Sequence, residues 1–221
     1  MARPTAKDRY HHGDLHAALL AAAEAELREH GVEGFTLRGC ARRAQVSHAA
    51  PAHHFGDANG LLTALAAVGY RRFLAAQVRR KQGAAPDPQA QLVAAGLGYI
   101  DFARANPALF RLIFASDRPD HDDPALCASA RAAFEQLVAD VAAVQGGEPE
   151  ASAAGRGMVA STWALVHGIA DLLIAGRLPY LPQGDAAGEE AMLREILVRC
   201  LFAPPPGQPR AATLAPPRPG T

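Results

Sequence analysis

GVEGFTLRGCARRAQVSHAAPAHHFGDANGLLTALA, residues 31–66, decides the fold, because it predicts two short helices followed at once by a long one. Thr36 precedes the first short helix and Ser47 precedes the second, so both hydroxyls are expected to act as N-caps. The two residues at 45–46 that separate these helices indicate a tight turn. Asp57 is the expected cap of the long helix. Short helices joined so closely are typical of a helix-turn-helix.

The rest of the chain is dominated by alanine and leucine at helical spacing, and strand patterns are almost absent, so we predict an all-α protein of about nine helices. A basic arm at 1–12 precedes a first helix capped by Asp14. That helix and the two short ones form a three-helix domain over 13–57, which the long fourth helix joins to a larger helical domain at 58–202. The tail at 203–221 holds seven prolines in 19 residues and is expected to be disordered.

The charges are unevenly distributed, although 22 basic and 22 acidic residues cancel in the formal net charge. Residues 1–81 hold 12 Lys and Arg against 7 Asp and Glu, and the remainder holds 10 against 15. Seven of the nine histidines also lie in the first 54 residues. A basic N-terminal part on an acidic body indicates a polyanionic partner for that part.

The cysteines and histidines do not form a metal-binding pattern. Cys40, Cys127 and Cys200 are far apart and show no CxxC spacing, which argues against zinc and disulfides and favours three buried thiols. Adjacent histidines such as His53 and His54 point about 100° apart on a helix, and no carboxylate or cysteine lies at ligand spacing. We therefore expect no metal.

Enzyme motifs and membrane signals are not found either. The sequence has no GxSxG elbow, no paired carboxylates in an apolar setting and no glycine-rich phosphate loop. We therefore expect that the protein is not an enzyme and that it has no catalytic residues and no cofactor. No apolar run reaches the roughly 18 residues that a membrane span needs, and the N-terminus lacks the apolar core of a signal peptide. These features predict a soluble, cytoplasmic protein.

Several motifs resemble one family in the right order and spacing. The stretch 31–66 closely resembles the DNA-binding domain of the TetR family of transcriptional regulators. YHHGDL at 10–15 is similar to the segment that opens the first helix in one subgroup, and YIDFARANPALFRLIF at 99–114 and STWALVHGIADLLIAGRL at 161–178 resemble that subgroup's regulatory domain. The resemblance covers about residues 9–202. It implies a homodimeric regulator, most commonly a repressor, that binds a double-stranded DNA operator and a small-molecule effector.

The resemblance and the chemistry of helix ends together place the candidate DNA contacts in the two short helices. Helix N-termini suit phosphate groups, and an exposed recognition helix presents its first residues to base edges. Alanine methyls can pack against thymine methyls, and histidine can donate to guanine or phosphate. The candidate DNA-binding residues are Thr36, Arg38, Ser47, His48, Ala49, Ala50, Ala52, His53 and His54. Phe55 is expected to pack in the core instead.

Four positions depart from the residues usual in the family. Ala52 stands where a tyrosine is usual, His53 where arginine or tyrosine is frequent, and Ala58 where relatives carry a lysine that contacts phosphate. Gln45 replaces a frequent glycine in the turn. An alternative therefore stays open, in which the protein has weakened or lost sequence-specific DNA binding and acts as a ligand- or protein-binding module.

The resemblance also implies that the last two helices dimerise and that helices four to eight enclose a ligand pocket. Ala160, Ala164 and Gly168 recur every four residues, which suits either a close partner helix or the protein's own core. The candidate pocket-lining residues are Phe102, Phe110, Phe114, Phe134, Met158, Trp163 and His167. Each could equally pack in the core, and His167 could be held by a carbonyl or by Asp171. Apolar lining residues predict a hydrophobic or aromatic effector.

Overall fold

The computed structural model describes residues 6–182 and 184–202, with side chains from Leu15 onward. Over those residues it consists of nine α-helices and one short 3-10 helix, without strands, which confirms the all-α prediction. The helices are α1 (Ala6–His30), α2 (Leu37–Ala44), α3 (Ala50–Phe55), α4 (Ala58–Gln82), α5 (Pro88–Ala105), α6 (Pro107–Ala115), α7 (Pro124–Gln145), α8 (Ala153–Ile174) and α9 (Ala186–Phe202), and the 3-10 helix is Pro149–Ala151. The predicted tail at 203–221 lies outside the described residues.

Side-chain caps set the starts of three helices, and two of them, Thr36 and Asp57, lie where the sequence predicts them. Thr36, Asp57 and Asp123 each accept a hydrogen bond from the backbone N–H three residues further on, at 3.0, 2.8 and 2.9 Å. These bonds satisfy donors that the first helical turn would otherwise leave without a partner. Asn106 and Pro107 separate α5 from α6, because proline cannot continue the ladder of hydrogen bonds.

The first helix begins earlier than the sequence indicated. α1 starts at Ala6, so Asp14 lies inside the helix and the prediction that it caps the helix is wrong. No glycine or proline interrupts residues 6–12, and alanine, lysine and arginine there favour helix. Most of the predicted basic arm is therefore helical.

The burial of the cysteines also differs from the prediction. Cys40 is buried, but Cys127 is half-buried and Cys200 is exposed, so the expectation of three buried thiols holds only for Cys40. Cys40 lies in α2, whose inner side faces the core, whereas the helices of the other two turn them outward.

α4 connects the two parts of the fold. It packs against α1 and α3 and also against α5, α6 and α7. Arg72 of α4 donates to Glu24 of α1 at 2.8 Å. Near its end, Arg80 binds both carboxylate oxygens of Asp101 in α5, at 2.5 and 3.0 Å, and Glu190 in α9, at 2.9 Å. We call α1–α3 the head and α5–α9 the body, and α4 ties both to one core.

Candidate DNA interface and ligand cavity

The turn between α2 and α3 is tight although it lacks a glycine. Gln45 adopts the left-handed conformation with φ 56° and ψ 38°, which a residue with a Cβ atom rarely takes. Its N–H donates to Arg42 O at 3.3 Å, and Val46 N–H donates to Ala41 O at 3.1 Å. These bonds close the end of α2 and hold the helix-turn-helix geometry.

α3 begins two residues later than predicted. Its N-cap is Ala49 and not Ser47, whose backbone carbonyl accepts from Ala50 N–H at 3.0 Å. Pro51 lies in the first turn, where its fixed φ fits and its missing N–H would have no helical partner. The prediction of a Ser47 cap is therefore wrong, because the proline favours a start directly before itself.

Seven of the nine candidate DNA-binding residues are exposed. These are Thr36, Arg38, Ser47, His48, Ala49, Ala52 and His53, whereas Ala50 and His54 are half-buried. The inner side of α3 is formed by Pro51, which is buried, and by Phe55, whose ring centroid lies 4.7 Å from that of His16 in α1. Phe55 packs against the core as expected. Ala52 and His53 thus lie on the solvent-exposed side of α3.

The hydroxyl of Thr36 takes part in a hydrogen-bond network around the buried carboxylate of Glu26 in the head. Besides capping α2, it donates to Glu26 Oε1 at 3.1 Å, and Arg43 Nε donates to Glu26 Oε2 at 2.7 Å. Burial opposes ionisation of Glu26, which is only 2% exposed, but the bonds from Arg43 and Thr36 outweigh it and lower the pKa of Glu26. A Cβ atom at Gly39 would lie 1.8 Å from the Glu26 carboxylate. Sequence patterns did not indicate this network, because its members carry no motif.

Glu26→Gln is expected to lower the free energy of unfolding by about 2 kcal/mol at neutral pH, since charge-assisted hydrogen bonds are lost. The folded-state pKa of Glu26 lies below the ordinary value of 4.5. The extra stability of the wild type over Glu26→Gln is therefore complete above pH 4.5 and is lost as the pH falls through the folded-state pKa of Glu26. Urea unfolding of both proteins at neutral and acidic pH measures it. The control is Glu33→Gln, at an exposed position, which should be neutral. An advantage that grew on acidification would contradict the assignment.

A cavity of about 350 Å³ lies in the body, bounded mainly by α4, α5, α7 and α8. This volume is within the range of about 300–1,000 Å³ that is usual for small-molecule sites. Six aromatic side chains line it, namely Tyr70, Phe73, Tyr99, Phe114, Phe134 and Trp163. Phe134 and Trp163 are 43% and 42% exposed, so they mark where the cavity opens to solvent.

The structure divides the predicted pocket-lining residues into two groups. Phe114, Phe134 and Trp163 line the cavity. Phe102 and Phe110 are each 2% exposed and pack in the core, and Met158 packs beside a second apolar cluster. His167 stacks on Phe110 and shares a hydrogen bond of 2.7 Å between its Nδ1 and the hydroxyl of Tyr99. The partner of His167 is thus Tyr99, and neither Asp171 nor a carbonyl.

The cavity wall also carries polar residues that the sequence did not indicate. Gln77, Arg131, Asp140 and Thr162 line it. Asp140 forms an ion pair with Lys81, which lies 59 residues earlier in the chain. The wall is therefore less apolar than the predicted lining residues suggest, because α4, α7 and α8 each add a polar group to it.

The small-residue stripe lies on the outside of the protomer. Ala160 and Ala164 are exposed and Gly168 is half-exposed, with no atom within 4 Å of the place where a Cβ would stand. By length and composition α8 could cross a membrane, the one such helix among the described residues, and only 28% of that stretch is buried. Exposed Leu172 of α8 and Met192 of α9 add to this apolar surface. Such a surface suits close packing with a partner helix.

The segment after α6 connects the cavity to the head. Phe114 of α6 lines the cavity, and Arg118 lies in the loop that follows α6. The guanidinium of Arg118 donates to Val32 O in the head at 2.8 Å and to Asn59 Oδ1 at the start of α4 at 3.0 Å. Asp120 N–H donates to Thr63 Oγ1 at 2.8 Å. A shift of α6 would thus change these hydrogen bonds, which lie where α4 meets the head.

A helix-turn-helix on an all-helical body with a ligand-sized cavity defines a class of DNA-binding regulators. Residues 19–65 match the family model described as "Bacterial regulatory proteins, tetR family", and residues 92–196 match "Tetracyclin repressor-like, C-terminal domain". The two matches cover the helix-turn-helix and most of the cavity-forming helices. The chain belongs to the TetR family of transcriptional regulators.

Several individual proteins are similar to this chain. A protein of unknown function from Rhodococcus sp. RHA1 is 32% identical, with a TM-score of 0.69 over 87% of this chain and 94% of that one. The TetR family transcriptional regulator PfmR from Thermus thermophilus shares the fold, with a TM-score of 0.59 at 16% identity over 93% of this chain and all of that one. The HTH-type transcriptional regulator BetI of Burkholderia cenocepacia is 31% identical over 110 residues, which are 50% of this chain and 57% of that relative. The chain thus spans little more than half the length of this curated relative.

Proposed function

We propose that this protein is a ligand-responsive repressor, which a small effector releases from a palindromic operator. The observation that carries the proposal is the combination of an exposed α3 on the head with a ligand-sized cavity in the body. Both parts share α4, so a change in the cavity can reach the DNA-binding surface. Its place of action is the cytoplasm, where the DNA is.

The DNA-binding unit is a homodimer formed through α8 and α9. Support comes from the exposed stripe of Ala160, Ala164 and Gly168 and from the apolar side chains beside it. A two-fold axis then pairs two heads, so that each α3 enters the major groove of one half-site. Half-sites about one helical turn apart, or a multiple of that, match such a dimer.

Effector binding lowers the affinity for the operator if the ligand prefers one arrangement of the body. The hydrogen bonds of Arg118 to Val32 and Asn59 support a coupling route from α6 to the head. Tyr70 of α4 lines the cavity and donates to Ile113 O of α6 at 3.1 Å, which joins the two helices at the ligand site. Equal operator affinity with and without saturating effector would contradict this coupling.

Fluorescence anisotropy of labelled promoter DNA, with a salt titration, tests the DNA-binding part. A steep negative salt slope alone reports nonspecific phosphate contacts. An affinity for the promoter DNA about 10³-fold or more above that for random DNA identifies a protein that binds a specific operator sequence. No preference for any selected sequence would favour the alternative, a TetR-fold protein without sequence-specific binding, which the small, exposed Ala52 at the centre of α3 makes worth testing.

His53→Ala is expected to weaken operator binding by about tenfold, since one base contact contributes about 1–3 kcal/mol. Binding to random DNA should change much less, because His53 is assigned to base edges and not to phosphate. His121→Ala is the control, since His121 is an exposed histidine in the loop between α6 and α7. Anisotropy titrations of all three proteins give the comparison. Unchanged operator affinity in His53→Ala would remove this residue from the interface.

A further inference from the structure

Two buried oxygen atoms without a hydrogen-bond partner lie in residues of the same cavity wall. Over the described residues, Asp140 Oδ2 and Thr162 Oγ1 are the only buried side-chain nitrogen or oxygen atoms without a partner. Asp140 is 7% exposed and Thr162 is 3% exposed, and both line the cavity. Because folded proteins pair nearly all of their buried polar groups, two exceptions in the wall of one cavity indicate that this wall binds a ligand with polar groups.

The surroundings of Asp140 restrict what that ligand can offer. Oδ1 of Asp140 already accepts from Gln136 Nε2 at 3.0 Å and is paired with Lys81. An ionised carboxylate can only accept hydrogen bonds, so Oδ2 requires a donor. The ligand must therefore carry an O–H or N–H group at this point.

The local charge argues against a cationic donor. Lys81 already balances the charge of Asp140, and Arg131 adds a second positive charge at the cavity wall. These three groups together carry a net charge of +1, and a bound cation would add to it. The rest of the wall is largely apolar and includes the six aromatic side chains, which favours a flat apolar ligand body.

We propose that the cavity binds an uncharged aromatic molecule whose hydroxyl or N–H group donates to Asp140 Oδ2, with the Thr162 hydroxyl as a second polar contact. The inference rests on the proposed function only in taking this cavity as the effector site. It adds to the expectation of a hydrophobic or aromatic effector, since Asp140 and Thr162 give the site a specific polar recognition point.

Three probes on one skeleton test the proposal, namely 4-biphenylmethanol, its methyl ether, and protonated 4-phenylbenzylamine. Trp163 lines the cavity and is the chain's only tryptophan, so its fluorescence reports binding without DNA. The alcohol should bind at least about tenfold more tightly than the ether, because the ether cannot donate and leaves Oδ2 unpaired. The ammonium compound should bind more weakly than the alcohol.

Two variants assign any preference to the named groups. Lys81→Met/Asp140→Leu replaces the ion pair with apolar side chains, which proteins often tolerate, and should abolish the preference for the alcohol over the ether. Thr162→Val removes an unpaired hydroxyl at nearly constant shape and should reduce this preference while the ether binds as before. Ser161→Ala is the control, since the neighbouring Ser161 is exposed and lies outside the cavity wall. Circular dichroism checks that each variant folds.

Four results would overturn the proposal. These are equal affinities of the alcohol and the ether for the wild type, a preference that survives in Lys81→Met/Asp140→Leu, tighter binding of the ammonium compound, and no binding of any probe up to its solubility limit. An alcohol that binds with the expected preference and leaves operator affinity unchanged would instead support the ligand class and contradict ligand-responsive regulation. The proposed ligand class and the proposed ligand-responsive regulation can thus be contradicted independently of each other.

Discussion

Gly98→Ala is expected to destabilise the protein by about 3 kcal/mol, although alanine favours a helix over glycine by about 1 kcal/mol. Gly98 lies in α5, where this helix meets α4. A Cβ atom there would stand 2.6 Å from Gln77 Cα, 2.7 Å from Ala76 O and 2.9 Å from Gln77 N. All three are backbone atoms, so no side chain can rotate away and the two helices must separate.

Urea unfolding measures this effect as a lower midpoint at an unchanged slope. Gly83→Ala at the end of α4 is the matched control, because φ there is −92° and the nearest atom to an added Cβ is 3.8 Å away. The control should stay close to the wild type. Equal stability of the two variants would show that α4 and α5 can separate at little cost. Since Gln77 also lines the cavity, the same clash should weaken binding of the aromatic probes.

Helix starts were predictable where the deciding residues are neighbours in the chain. Thr36 and Asp57 cap their helices through bonds to amides three positions away, so a short window of sequence contains the whole interaction. Ser47 fails as a cap because Pro51, four positions later, competes for the helix start. The order and number of the helices follow from such local signals, which is why they were foreseen.

The residues of the cavity wall were less predictable, because the spacing of apolar residues along a helix does not determine which neighbouring helix each side contacts. Phe110 and Phe114 lie one turn apart on α6, yet Phe110 is fully packed in the core and Phe114 lines the cavity. Only the packing of α6 against α4, α5 and α1 separates their roles. Likewise, Lys81 and Asp140 meet across α4 and α7, and no sequence motif joins them. The part of the site that the sequence did not predict thus depends on contacts between segments that are far apart in the chain.

Ala52→Tyr/Ala58→Lys is expected to raise DNA affinity by about tenfold or more, since it restores two side chains that the family usually places at the phosphates. Ala52 is exposed on the outer side of α3, so a tyrosine there need not displace the core. Ala58 is the first residue of α4 and is half-buried. A lysine there opposes the positive helix end at a cost of about 0.3–1 kcal/mol, which one phosphate contact can exceed.

The salt dependence of binding distinguishes the sources of this gain. Each added ionic phosphate contact steepens the slope of log K against log salt by about 0.9, so the lysine should add about one unit and the tyrosine little. Ala85→Lys, on the exposed loop between α4 and α5, adds the same charge far from the head and is the control. If affinity for operator and random DNA rises equally, the operator preference still comes from native residues such as His53 in α3 and His48 just before it. A gain no larger than that of Ala85→Lys would contradict the placement of positions 52 and 58 at the DNA, because the added groups would then act only through net charge.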